Sequence, residues 1–132
     1  MIIFTVTEAE ALLPQLRDEL VAMQECKREV DGLRGSFEHA ATKSAGNGHV
    51  KDEDGLAEKR RHAESLVEQI NERLARINDW GVELKGIDEG LIDFPSRRED
   101  RIVYLCWKLG EDSITWWHEI DTGFPSRQPL YS

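Results

Sequence analysis

The chain has 132 residues, of which 33% are charged and 39% hydrophobic, and its formal net charge is −9. This length suits one domain with a modest core and is too short for two independent cores. The acidic balance argues against nucleic acid as a partner, because phosphate backbones need a concentrated basic surface. It also argues against anionic membrane surfaces, and no apolar run approaches the length of a transmembrane helix.

The two cysteines and the N-terminus indicate the compartment. Cys26 lies in a polar, helix-like stretch and Cys106 in an apolar, strand-like one, which argues against a disulfide and fits a reducing compartment. The apolar stretch 1–6 lacks the basic region and the long apolar core of a signal peptide. The sequence therefore predicts a cytoplasmic protein.

The first part of the chain predicts two helices, after a short strand or extended lead-in at 2–6. Thr7, with Glu10 three residues later, matches a capping box. Apolar residues spaced mostly three and four apart then form two series: Leu13, Leu16, Leu20, Met23, Val30 and Phe37, followed by Leu56, Ala63, Val67, Ile70, Leu74 and Ile77. These heptads predict a long antiparallel, coiled-coil-like helical hairpin over 7–80, with a flexible tip at about 43–55. Pro14 should kink the first helix, and Gly81 should end the second.

From residue 82 the apolar period changes to about two, which predicts an antiparallel β-meander and tail over 82–130. The predicted strands are 82–85, 91–94, 102–109 and 114–121. A four-residue loop at 110–113 would pair Leu109 with Ile114. In this register one apolar face carries six residues of the two strands: Trp107, Leu105, Val103, Trp116, His118 and Ile120. The fold class is therefore α+β: a single domain, 1–132, with the helical hairpin packed on a small meander.

His118 is the polar residue of that predicted apolar face. The favoured interpretation is structural: a histidine bonded to a backbone carbonyl or to a carboxylate such as Asp93. The alternative is a metal or small-anion site at the end of the C-terminal hairpin, with candidate residues His118, Glu119, Asp121, Arg127, Asp93 and Glu83. No cofactor is predicted, and Mn, Fe or Zn is the divalent-metal alternative. Alternation puts His118 opposite Glu119 and Asp121, so their convergence requires a bulge or a strand end.

Four segments of the chain are similar to a known family. They are Phe4–Pro14, Gly81–Pro95, Val103–Glu111 and Trp117–Leu130. They resemble the bacterial family known as domain of unknown function 2203. The resemblance covers almost the whole chain outside the hairpin tip. It implies a small bacterial cytosolic protein and supplies no activity, cofactor or catalytic residue.

The functional expectation is a non-enzymatic interaction or regulatory module. It would act as a homodimer, or bind a protein partner, through the outer surface of the heptad helices. No Gly-rich phosphate loop, Cys-x-x-Cys pair or nucleophile elbow is present, and Cys106 is interpreted as an inert buried thiol. The alternative is the metal- or small-anion-binding protein just described, with enzymatic activity left open.

Overall fold

The computed structural model describes residues 1–45 and 55–131, with side chains described for 1–39 and 55–131. In chain order the elements are α1 (Val6–Ala11), α2 (Leu13–Ala45), α3 (Leu56–Asp79), β1 (Glu83–Gly86), β2 (Leu91–Arg98), β3 (Arg101–Lys108), β4 (Trp116–Glu119), a 3-10 turn (Phe124–Ser126) and β5 (Gln128–Pro129). The strands form one five-stranded antiparallel sheet in sequence order. The predicted mixture of helices and antiparallel sheet is therefore confirmed.

The N-terminal helix begins two residues earlier than predicted. Thr5 is the N-cap: its hydroxyl accepts from the Glu8 amide at 3.1 Å, and the Glu8 carboxylate accepts from the Thr5 amide at 2.8 Å. The capping box predicted at Thr7 is therefore wrong. The kink expected at Pro14 is instead a break at Leu12, after which Pro14 occupies the first turn of α2, where no intrahelical amide donor is required.

Gly81 ends α3 as predicted. Its φ of +83° lies in the left-handed region, its amide donates to Asn78, and the Val82 amide donates to Ile77. This pair of bonds is the Schellman arrangement that satisfies the last carbonyl groups of a helix. The chain can therefore turn at once from α3 into β1.

We expect Gly81→Ala to lower the free energy of unfolding by about 1–2 kcal/mol or more. A Cβ at this position would meet the Ile2 side chain at 2.6 Å and would hold a left-handed backbone. Gly35→Ala in α2 is the control, because a Cβ there meets nothing within 4 Å and alanine favours a helix interior by about 1 kcal/mol. Urea unfolding of both variants checks the prediction. Equal changes in the free energy of unfolding for the two substitutions would contradict it.

A long coiled-coil-like hairpin packed on the sheet is not confirmed. Among the described side chains of α2, the buried ones lie in its first half, at Leu13, Leu16, Leu20, Met23 and Cys26. None of the side chains at 27–39 is buried, because charged and polar residues interrupt the heptad pattern there. In α3 the buried residues are Leu66 and Ile77, whereas Val67 is 44% exposed although the pattern places it in the seam. Of the predicted flexible tip, 43–45 is helical and 46–54 lies outside the described residues.

Single-domain organisation over 1–132 stays a prediction, because the chain divides into two compact units. One unit comprises Met1–Val21 and Leu74–Ser132, and the other comprises Ala22–Arg73. The boundaries fall within α2 and α3, so each long helix belongs partly to both units. All the candidate site residues belong to the first unit. No helix in the described ranges is long and apolar enough to cross a membrane.

One face of the sheet forms the apolar core of the first unit. Its buried side chains are Ile92, Phe94, Val103, Leu105, Trp107 and Trp117. The Phe4 ring meets the Phe94 ring edge-on at 5.4 Å, and the Arg17 guanidinium of α2 lies 5.7 Å from the centre of the Trp107 ring. The N-terminal lead-in and α2 therefore contact this face.

Strand β2 is longer than predicted. Pro95 lies inside it, and the turn to β3 consists of Glu99 and Asp100, whose φ values of +51° and +63° suit a tight two-residue hairpin. Pro95 is tolerated because the chain beside it is the lead-in, whose Phe4 amide donates to the Pro95 carbonyl at 2.7 Å. The Ser96 hydroxyl in turn donates to the Phe4 carbonyl at 2.6 Å.

The β3–β4 register differs by one residue from the prediction. Cys106 pairs with Trp116 and Tyr104 with His118, and the connection spans 109–115 instead of 110–113. Glu111 holds this turn, since its amide donates to the Lys108 carbonyl and its carboxylate accepts from the Lys108 amide. A shift of one residue exchanges the two faces of a strand. The predicted pairing of His118 with Leu105 on the apolar core face is therefore wrong.

Candidate functional site

The face of the sheet opposite the apolar core carries a buried polar cluster. Asp93 of β2 pairs with Cys106 of β3, and His118 of β4 lies beside them on the same face. Each offers a potential metal ligand atom, and these atoms lie within 4.8 Å of one another. The exposed fractions are 4% for Asp93, 2% for Cys106 and 1% for His118. Three polar groups that could bind a metal are thus fixed on three adjacent strands, away from water.

The His118 ring is held at both nitrogens. Nδ1 lies 2.7 Å from the Glu119 carbonyl oxygen, and Nε2 lies 3.0 Å from each carboxylate oxygen of Asp93. Because a carbonyl oxygen can only accept, Nδ1 must carry a proton and donate it. Nε2 then faces the carboxylate, and a second proton must lie between these groups for them to bond. The hydrogen bond to Asp93 expected under the structural interpretation of His118 is therefore present.

Burial dominates the electrostatics of Asp93. Desolvation raises the pKa of its carboxyl group, and the nearby His118 and the Cys106 thiol, which donates to the carboxylate, only partly oppose this rise. Desolvation likewise raises the pKa of Cys106 to about 12, with the Asp93 charge adding to the effect and Arg127 opposing it. The thiol is therefore protonated, and inert as a nucleophile, in the metal-free cluster.

We expect the raised pKa of Cys106 to destabilise the fold at alkaline pH. An unfolded thiol loses its proton near its usual pKa of 9.0, whereas the folded thiol keeps it until about pH 12. Unfolding therefore releases a proton in this window, and stability should fall by up to about 1.4 kcal/mol per pH unit from this group. Urea unfolding from pH 8 to 11, compared with Cys106→Ala, checks this. A wild-type slope no steeper than that of the variant would contradict it.

A cavity of about 140 Å³ adjoins the cluster. It is lined by Lys85, Leu91, Asp93, Cys106, Thr122, Gly123 and Phe124. The Lys85 ammonium lies 3.0 Å from the Glu83 carboxylate and 4.9 Å from the centre of the Tyr104 ring. The segment before the 3-10 turn thus contributes to the lining, and two of the three cluster residues, Asp93 and Cys106, line the cavity as well.

The residues predicted for the site separate into two groups. His118 and Asp93 come together, and Arg127 lies close enough to influence Cys106, although it also forms an ion pair with Glu111 at 2.9 Å. Glu83 bonds Lys85 at the edge of the cavity.

The other two acidic candidates do not join the cluster. Glu119 is on the opposite face, where it bonds Arg101 at 2.8 Å, and Asp121 is exposed in the turn after β4. The convergence of His118 with these carboxylates, which required a bulge or strand end, is not observed, because β4 is regular through Glu119.

Cys106 is the cluster residue that the sequence interpretation missed. The predicted four-residue loop at 110–113 implies that Cys106 lies on the face opposite His118. With the observed odd number of intervening residues, Cys106 shares a face with both His118 and Asp93. The sequence does place an aspartate, a cysteine and a histidine in consecutive predicted strands. Only the correct strand register shows that the three side chains share a face.

The fold and the cluster define an antiparallel α+β protein with a buried carboxylate, thiol and imidazole on one face of its sheet. A family model described as Uncharacterized conserved protein (DUF2203) matches residues 2–130. The chain therefore belongs to this family, which confirms the resemblance drawn from its sequence motifs. Neither the curated proteins nor the solved structures gave a match.

Proposed function

We propose that this protein binds a divalent transition metal, with zinc as the best fit, through Asp93, Cys106 and His118. The observation that carries the proposal is the convergence of their ligand atoms within 4.8 Å in a buried setting. Metal–ligand distances of about 2.0–2.3 Å in tetrahedral zinc sites imply separations between ligands of about 3.3–3.8 Å. A small contraction of the cluster would meet this geometry. The mixture of sulfur, nitrogen and oxygen ligands suits zinc.

The orientation of His118 supports this function. Histidines that bind metals commonly donate their second ring N–H to a carbonyl or carboxylate, which fixes the tautomer and aims the other nitrogen at the metal. Here the Glu119 carbonyl accepts from Nδ1, and Nε2 points at Asp93. The proton that lies between Nε2 and the carboxylate occupies the position where a metal would bind both groups.

Charge balance supports the same function. With Cys106 and Asp93 ionised and His118 neutral, the cluster offers two negative charges, which match one divalent ion. Three protein ligands leave the fourth tetrahedral position open, as in catalytic zinc sites, and the cavity beside Asp93 and Cys106 provides space for it. A metal would also remove the unfavourable burial of the free carboxyl group and thiol.

Cobalt(II) and zinc titrations of protein purified without chelator test the proposal. We expect one ion per chain, with the visible absorption of a cobalt–thiolate complex and displacement of cobalt by zinc. Cys106→Ser should abolish the thiolate band, whereas Cys26→Ser is the matched control, because Cys26 lies in α2 and its sulfur is 3.9 Å from the Gln69 side chain. Absence of bound metal, or loss of the band in the Cys26 variant alone, would contradict the proposal.

A second candidate function follows from the helices. We propose a cytoplasmic homo-oligomer, paired through coiled-coil-like helical surfaces, that acts as an interaction or regulatory module. It is supported by the heptad pattern and by the exposed valines Val21 and Val67, each 44% exposed. Light scattering tests it: the wild-type chain should exceed the monomer mass of 15.2 kDa, and Val67→Glu should reduce it. A monomer at all concentrations would count against this function.

A further inference from the structure

The cavity beside the cluster has walls of different chemistry. Its floor includes Asp93 and Cys106, and Lys85 contributes a cationic group to the lining. Leu91 and the Phe124 ring supply apolar surface. If a divalent metal offsets the charges of Asp93 and Cys106, Lys85 favours a ligand with an anionic head, and Leu91 and Phe124 favour a short apolar tail.

Resting on the proposed metal site, we propose that the cavity binds a short-chain carboxylate. Its carboxylate group would take the open coordination position of the metal and accept a hydrogen bond from Lys85. Its aliphatic tail would lie against Leu91 and Phe124. The cavity would accordingly hold a small aliphatic acid, since a volume of about 140 Å³ matches a group of a few heavy atoms.

Lys85 is suited to this role by its position and its spare donors. Its ammonium lies over the Tyr104 ring and bonds Glu83, which limits the directions it can take. An ammonium group has three donors, so one bond to Glu83 leaves others for a ligand. By contrast, the Arg127 guanidinium, which is ion-paired with Glu111 and lies over the Trp116 and Phe124 rings, does not line the cavity. Among the described residues that line the cavity, Lys85 is therefore the cationic one.

The experiment uses the full chain loaded with cobalt(II) and titrated with acetate in chloride-free buffer. We expect acetate to shift the cobalt spectrum with saturation, and acetamide, its neutral analogue, to leave it unchanged. Propionate should bind up to about fourfold more tightly than acetate, because it buries one more methylene group. Lys85→Met should weaken acetate binding by about tenfold or more, and Lys85→Arg should retain most of it.

Lys108→Met is the matched control. This residue lies on β3 with its ammonium 5.6 Å from the centre of the Phe124 ring, yet it does not line the cavity. Its loss should change acetate affinity by less than about threefold, as expected for a screened surface charge. Cobalt binding without any response to acetate overturns the carboxylate proposal alone, as does equal acetate affinity in the wild type and Lys85→Met. Failure of cobalt to bind overturns the metal function, and the carboxylate proposal with it.

Discussion

His118→Ala should lower the free energy of unfolding of the metal-free protein by about 3–5 kcal/mol. The substitution removes a fully buried ring and leaves the Asp93 carboxyl group, which is 4% exposed, without its histidine partner. Two costs therefore add: a cavity in a packed sheet face and a buried polar group with an unmet hydrogen bond. Chemical denaturation in the presence of a chelator measures the loss without a contribution from metal.

His62→Ala is the control for this prediction. His62 is exposed in α3 and lies 3.4 Å from the Glu29 carboxylate, so its loss should change stability by less than about 0.5 kcal/mol. A loss below about 1 kcal/mol for His118→Ala would show that the pair with Asp93 contributes little, and the prediction would be wrong.

The double substitution Asp93→Leu/His118→Leu separates stability from function. Replacing a buried polar pair by apolar residues of similar volume is often neutral or stabilising, whereas removing one partner is costly. We expect the double variant to be more stable than His118→Ala and to bind no metal. Such a result would mean that the fold does not depend on the Asp93–His118 pair. A double variant as unstable as the single one would instead favour the structural interpretation of His118.

The sequence was informative wherever local chemistry determines structure. Gly81 was identified as a helix stop because a left-handed residue after α3 favours glycine, and the period change at residue 82 located the beginning of the sheet. The helix start was misplaced by two residues, because Thr5 with Glu8 and Thr7 with Glu10 have the same capping spacing. The choice between them depends on how the lead-in bonds Pro95, which is a long-range contact.

The site was only partly predictable, because it depends on register. The residue type of Asp93 predicts a carboxylate partner for His118, and the contact is observed. The predicted face of Cys106 is wrong, since periodicity gives the alternation within a strand but not the length of the loop that aligns two strands. The turn held by Glu111 and Gly110, whose φ is +106°, determines that length. No local pattern in the strands themselves encodes it.

The affinity for zinc or cobalt should rise steeply with pH. Desolvation holds the pKa of the free Cys106 thiol at about 12, so at neutral pH each metal ion must displace the thiol proton. The proton between His118 and Asp93 must also leave before Nε2 can bind metal. Each displaced proton contributes about a factor of ten per pH unit, so the apparent affinity should rise between about 10-fold and 100-fold per unit from about pH 6 to 8.

Competition titrations against a chelator of known pH dependence measure this slope, and an indicator dye in weak buffer counts the protons released. In Cys106→Ser the slope should fall by about one proton, because the serine hydroxyl does not titrate in this range, and affinity should fall at every pH. Cys26→Ser should keep the wild-type slope, since Cys26 is outside the cluster. An affinity independent of pH would mean that the metal binds elsewhere, through groups already deprotonated. A steep slope confined to chains with Cys106 would assign the released proton to this thiol.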